Sequence, residues 1–101
     1  NVTYLPKYQV LMIGEDSGGG HQNDAMWAYH VPSGRLTRML TTPYGSEVTS
    51  NYWVPRFGGR GYLITAVQHP YTESDQGRVG DEASTGSGSW IGVVGPFPAL
   101  D

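Results

Sequence analysis

The chain has 101 residues, of which 15 are Gly, 7 are Pro and none is Cys; 15% are charged and the net charge is −3. That much Gly and Pro excludes a coiled coil or helical bundle, the lack of cysteine excludes a disulfide-stapled miniprotein, and no run approaches the ~18 apolar residues of a membrane-spanning helix. An acidic balance with a pI near 5.4 argues against a nucleic-acid binder and leaves a turn-rich β protein, or a piece of one.

Taken in chain order, the first predicted strand covers residues 8–14, where Val10, Leu11, Met12 and Ile13 form a near-continuous apolar run. Such a run marks a strand buried on both faces. The second covers residues 25–31, with Met26, Ala28 and His30 alternating with Trp27, Tyr29 and Val31. The third covers 35–41, and Pro32-Ser33-Gly34 between these two predicts a tight hairpin, because Pro presets the first corner and Gly supplies a positive φ. The fourth covers 47–54 and the fifth 61–68, joined by the Gly-rich turn Pro55-Arg56-Phe57-Gly58-Gly59-Arg60. The sixth covers 89–95. Residues 71–88 carry four acids and four Gly without helical periodicity and are expected to form an exposed loop. The strand–turn rhythm from the second strand to the fifth resembles the antiparallel meander of a propeller blade. Trp27, Trp53 and Trp90 each fall inside a predicted strand, where packing is the expected role.

Leu, Ile, Val and Phe together number 20, a thin supply for a domain that must be stable alone. The chain opens on Asn1-Val2-Thr3 and closes on Pro98-Ala99-Leu100-Asp101, so the expectation is that residues 1–101 are a fragment of a single larger β domain. An independent binding domain such as a sandwich is the alternative.

Three polar stretches stand out. The segment between the first two strands, Gly14-Glu15-Asp16-Ser17-Gly18-Gly19-Gly20-His21-Gln22-Asn23-Asp24, combines three carboxylates, two amides and a His with four Gly. Calcium takes six to eight oxygens on a backbone that can wrap tightly, and adjacent carboxylates repel one another until a cation intervenes. The EF-hand spacing is absent, so a calcium site here would be shared with other loops; an ordinary polar turn has the same composition. The second stretch, Pro43-Tyr44-Gly45-Ser46-Glu47-Val48-Thr49-Ser50, opens a strand with a lone acid, as a metal ligand or as a solvated end. The third, Val67-Gln68-His69-Pro70-Tyr71, ends a strand on a histidine, as a ligand or acid–base group, or as a rim residue stacked on Tyr71. There is no Gly-x-Ser-x-Gly elbow and no Walker loop, and His21, His30 and His69 do not make a zinc spacing.

In order, the chain presents an acidic loop, Asn23-Asp24 before an aromatic strand, Tyr29-His30-Val31-Pro32-Ser33-Gly34-Arg35-Leu36-Thr37-Arg38-Met39-Leu40, Gly45-Ser46-Glu47-Val48-Thr49, and Gln68-His69-Pro70. This ordered set resembles the C-terminal part of PhoX-type alkaline phosphatases and their PhoX-like relatives, over roughly residues 8–95. The resemblance implies an all-β protein of antiparallel meanders: the last one to two blades of a β-propeller whose remainder is another chain or a cleaved segment. It implies a periplasmic or extracellular phosphomonoesterase acting on phosphate esters with calcium (Ca2+) and iron (Fe3+). Carried over, Glu47 would be a metal ligand, Glu15 and Asp16 would face the central cavity, Asn23 would match the asparagine of the loop with Asp24 beside it, and Gln68 and His69 would lie near the site. A non-catalytic, calcium-stabilised propeller in a surface assembly would carry the same residues. Ser50 stands where the family has Gly, and Tyr71-Thr72-Glu73-Ser74-Asp75 departs from its pattern. The cysteine that binds iron and the arginine that binds phosphate in those enzymes would lie further toward the N-terminus.

Overall fold

A computed structural model of the chain describes residues 1–17, 23–70 and 89–99. The centre of the acidic segment (18–22) and the expected loop 71–88 lie outside the described residues. Every element among the described residues is a strand: β1 Val2–Leu5, β2 Val10–Gly14, β3 Asn23–His30, β4 Arg35–Tyr44, β5 Glu47–Phe57, β6 Arg60–Gln68 and β7 Trp90–Pro98. They form two antiparallel sheets, one ordered β1-β2-β3-β4 and the other β5-β6-β7. The all-β expectation holds, and the six predicted strands correspond to β2 through β7 within a few residues. β1 is an addition, paired with β2 from Val2 opposite Ile13 to Leu5 opposite Val10.

The turn chemistry behaves as its residues dictate. Gly34 has φ 68°, and its N–H donates to the His30 carbonyl at 2.9 Å, closing the β3–β4 hairpin. Gly58 and Gly59 have φ 56° and 78°, which makes them the two-residue turn between Phe57 and Arg60; β5 and β6 therefore run further into the expected six-residue turn. Pro43, Pro96 and Pro98 sit on β4 and β7, which are edge strands and lose no ladder bond to a missing N–H.

The expected meander from the second strand to the fifth does not run through one sheet. β4 and β5 are not paired: at Gly45 (φ 68°) the chain leaves the first sheet and starts the second. The two sheets pack face to face on a core of Leu5, Met12, Met26, Val48 and Leu63, flanked by Tyr8, Val10, Ala28, Met39, Leu40, Trp53, Val94 and Phe97. Each fully buried apolar side chain contributes about 1.5–3 kcal/mol. At one end the sheets are also joined by hydrogen bonds. The Val48 N–H donates to the Glu15 carbonyl at 2.9 Å, Asn1 Nδ2 donates to the Val48 carbonyl at 3.0 Å, and Thr3 Oγ1 donates to the Asn51 carbonyl at 2.8 Å.

Gly14 permits this junction. A Cβ there would lie 2.6 Å from the Val48 carbonyl oxygen, a backbone atom that cannot swing aside. Gly14→Ala is therefore expected to cost about 2–3 kcal/mol, read as a lowered denaturant midpoint with an unchanged slope. Ser50 shows the opposite mismatch. It has φ 56° inside the irregular register between Thr49 and Tyr52, a backbone state that suits Gly. Ser50→Gly is expected to stabilise the fold by about 0.5 kcal/mol, the relieved strain being partly offset by the greater freedom of Gly in the unfolded chain; a lower midpoint would contradict this.

The outer faces of the stack are apolar on both sides. On the second sheet, Tyr52 pairs with Ile64 and Ile64 with Val93, and Ala66 pairs with Ile91. Tyr52, Ile91 and Val93 on this side are 67%, 81% and 63% exposed. On the first sheet, Val2, Ile13, Trp27 and Arg38 form one cross-strand row and Tyr4, Leu11, Tyr29 and Leu36 another. Arg38 is the single charge in those rows, its guanidinium 6.0 Å from the Trp27 ring centroid. Trp90, expected to pack inside, is half exposed at the start of the edge strand β7.

Candidate functional site

Glu15 and Asp16 directly follow β2, and their side chains serve different partners. Glu15 turns toward its own sheet. Its Oε2 accepts the Ala25 N–H at 2.8 Å, and its Oε1 accepts the Trp27 indole N–H at 2.7 Å. Asp24 is 2% exposed, and its Oδ2 accepts the Ser17 N–H at 2.9 Å, closing the base of the loop. The exposed Asn23 donates from Nδ2 to the Thr42 carbonyl at 3.0 Å, and Thr42 Oγ1 donates to the Asp24 carbonyl at the same distance. Glu15, Asn23 and Asp24 are thus engaged in holding strand ends.

Asp16 reaches Glu47. Glu47 is the first residue of β5 and directly follows the Gly45-Ser46 turn. That turn is fixed by the Ser46 hydroxyl and N–H, which both donate to the Pro43 carbonyl at 2.5 and 3.3 Å. Across the β5–β6 pair Glu47 sits opposite the exposed Gln68, which places His69 one residue beyond. His69 Nε2 lies 3.0 Å from Glu47 Oε1, with side-chain exposures of 34% and 15%. His69 Nδ1 lies 3.3 Å from the Gly45 carbonyl, and the His69 N–H donates to Ser89 Oγ at 3.3 Å. His69 has φ 31°, a strained state for a non-Gly residue, and these contacts hold it there. Rim stacking on Tyr71 involves a residue outside the described set.

The electrostatics follow from this order. Burial and then the neighbouring Asp16 carboxyl, within hydrogen-bonding reach, raise the Glu47 pKa above its ordinary value, although His69 opposes this. Burial by itself would lower His69, but the Glu47 charge and the Gly45 carbonyl outweigh it and raise the imidazole above 6.5. Both ring nitrogens face acceptors, an arrangement that suits a doubly protonated imidazolium. Asp16, Glu47 and His69 therefore form a row: carboxyl, carboxyl, imidazole. Two facing carboxyls share either a proton or a cation.

A pH dependence follows for the metal-free chain. Both Glu47 and His69 bind protons more tightly folded than unfolded. Their stabilising contributions are complete below 4.5 and 6.5 respectively and are lost as pH rises through each raised folded value. In chelator, the denaturant midpoint is expected to fall as pH rises from about 4.5 through the raised Glu47 and His69 values, and Glu47→Gln should flatten that fall; an equal slope in the variant would contradict the assignment.

Among the described residues no three of His, Cys, Asp and Glu converge as a ready-made cation cage. Asp16 and Glu47 are two carboxylates only, fewer oxygens than the six to eight that calcium takes. Comparisons with family models, curated proteins and solved structures returned no match.

Proposed function

We propose that this chain is the closing part of a β-propeller in a periplasmic or extracellular PhoX-like phosphomonoesterase, where Asp16 and Glu47 hold part of a calcium site and His69 steadies Glu47. The observation that carries this reading is the pair of facing carboxyls, Asp16 and Glu47, brought together from two sheets and backed by an imidazole. A bound cation would neutralise the pair and, beside it, the oxygens of a phosphoryl group. The propeller reading is supported by the two apolar outer faces. A free-standing two-sheet sandwich keeps those faces polar, whereas a blade is flanked on both sides by other sheets. The partner is then the remainder of the propeller, with a phosphate ester as substrate and iron held by residues outside this chain. No helix among the described residues is long and apolar enough to cross a membrane, and the acidic balance disfavours nucleic acid.

Metal analysis and a phosphate-ester hydrolysis assay on the intact protein test the proposal. Bound calcium and iron with hydrolysis that chelation abolishes is the expected result; neither metal and no hydrolysis would overturn it. The second reading is a non-catalytic propeller that uses calcium for stability. It is favoured by the engagement of Glu15, Asn23 and Asp24 in holding strand ends. Calcium-dependent melting without hydrolysis would select it.

A further inference from the structure

We infer that the end of the sheet-to-sheet interface formed by the β1–β2 turn and the end of β7 is a binding cavity for a small, uncharged aromatic molecule about the size of benzene. The cavity measures about 150 Å3 and is lined by apolar and aromatic side chains from both sheets, among them Met12, Ala28 and Met39 from the first and Trp53, Leu63 and Phe97 from the second. Of its lining side chains only Tyr8 and Trp53 carry a polar atom, the cavity exposes no polar surface, and the Tyr8 hydroxyl already donates to the Pro98 carbonyl at 2.7 Å, so the lining suits an uncharged, apolar ligand. The cavity opens on one side to solvent, so a benzene-sized guest enters by displacing water from its apolar walls.

The walls suit a ring. Tyr8 and Trp53 meet edge to face with centroids 5.1 Å apart, and Trp53 and Phe97 are tilted with centroids 5.7 Å apart. Aromatic pairs favour these arrangements, and a guest ring extends the same pattern. Met12 and Met39 add two thioethers, which adapt to irregular shapes and contact ring edges favourably. Gly61 makes room for the cluster: a Cβ there would come within 2.5 Å of the Trp53 ring, so the indole edge rests against bare backbone, with Phe97 paired to Gly61 on the next strand. The polar junction at Glu15 and Val48 ties the other end of the interface. At the cavity end the tie between the sheets is the Tyr8 hydroxyl on the Pro98 carbonyl, and a bound guest adds to the packing of one sheet on the other.

The chain contains three methionines, which supply an internal control. Met12 and Met39 line the cavity, whereas Met26, fully buried in the core, does not. With 13C-methyl methionine in the intact protein, millimolar benzene is expected to shift the Met12 and Met39 methyl signals, leave Met26 in place and raise the melting temperature by a few degrees. Pyridine, its polar isostere, should do neither at the same concentration. Ala28→Leu fills the space from β3 and should abolish the shifts; if that variant fails to fold, Val10→Leu fills it from β2. Absence of shifts in the unaltered protein, equal shifts at all three methionines, or shifts that persist in a filled variant would overturn the inference.

Discussion

Replacing Glu15 with Ala is expected to destabilise the chain by about 3 kcal/mol, the largest loss from any single polar residue described above. The carboxylate accepts two hydrogen bonds, from the Ala25 N–H and the Trp27 indole. Hydrogen bonds to a charged group contribute about 1.5–3 kcal/mol each, and partial exposure of the side chain lets water recover some of the loss. The Glu15 backbone carbonyl still receives the Val48 N–H in the variant, but the strand end that aims it loses its anchor. Glu15→Gln keeps the shape yet turns an NH2 group toward one of the two donors, so about 2 kcal/mol of the loss should remain. Denaturant midpoints give the energies, and the Trp27 indole should become more exposed to water in its emission. A change within 0.5 kcal/mol for both variants would remove Glu15 from its role as the fastener of β2, β3 and β5.

Much of this fold was legible because its turns are built from residues with narrow backbone preferences. Pro32-Ser33-Gly34 and Gly58-Gly59 adopt the positive φ values that their glycines permit, and the strands between them follow from alternation. β1 escaped because four residues ahead of a proline carry too little pattern; its existence depends on pairing with β2, a tertiary fact. The break between β4 and β5 was hidden for a related reason. A Pro-Tyr-Gly turn reads like a hairpin, whereas β5 pairs with β6 and is tied across to the first sheet by Val48 with Glu15 and Asn1 and by Asn51 with Thr3, all tertiary facts. At the candidate site each residue stood out in its own stretch, but the division of labour did not. Composition treated Glu15 and Asp16 as equivalent ligands, whereas Glu15 is taken up by the Ala25 N–H and the Trp27 indole and Asp16 reaches Glu47. The strained backbone at Ser50 and His69 was equally invisible, since neither residue type announces a positive φ.

Calcium is expected to reverse the sign of one substitution. In chelator, Asp16→Asn should be slightly stabilising, by about 0.5 kcal/mol, because it removes the carboxyl that faces Glu47 and replaces it with an amide that can donate to it. With calcium present the same substitution removes a ligand, so the variant should melt below the unaltered protein. The unaltered protein itself should gain about 2.7 kcal/mol when calcium stands a hundredfold above its dissociation constant, or roughly 11–22 °C in melting temperature for a chain of this length. Glu47→Gln should lose that gain as well, and it also replaces the charged acceptor 3.0 Å from His69 with a neutral amide, weakening the contact that steadies its strained backbone, so it should be the less stable of the two variants in chelator. His69→Gln keeps both carboxyls and should retain most of the calcium response while losing stability. This crossing pattern separates a cation shared by Asp16 and Glu47 from a proton shared by them. If calcium leaves the melting temperature of the unaltered protein unchanged and Asp16→Asn is stabilising in both conditions, the two acids share a proton, and the cation site must be sought elsewhere.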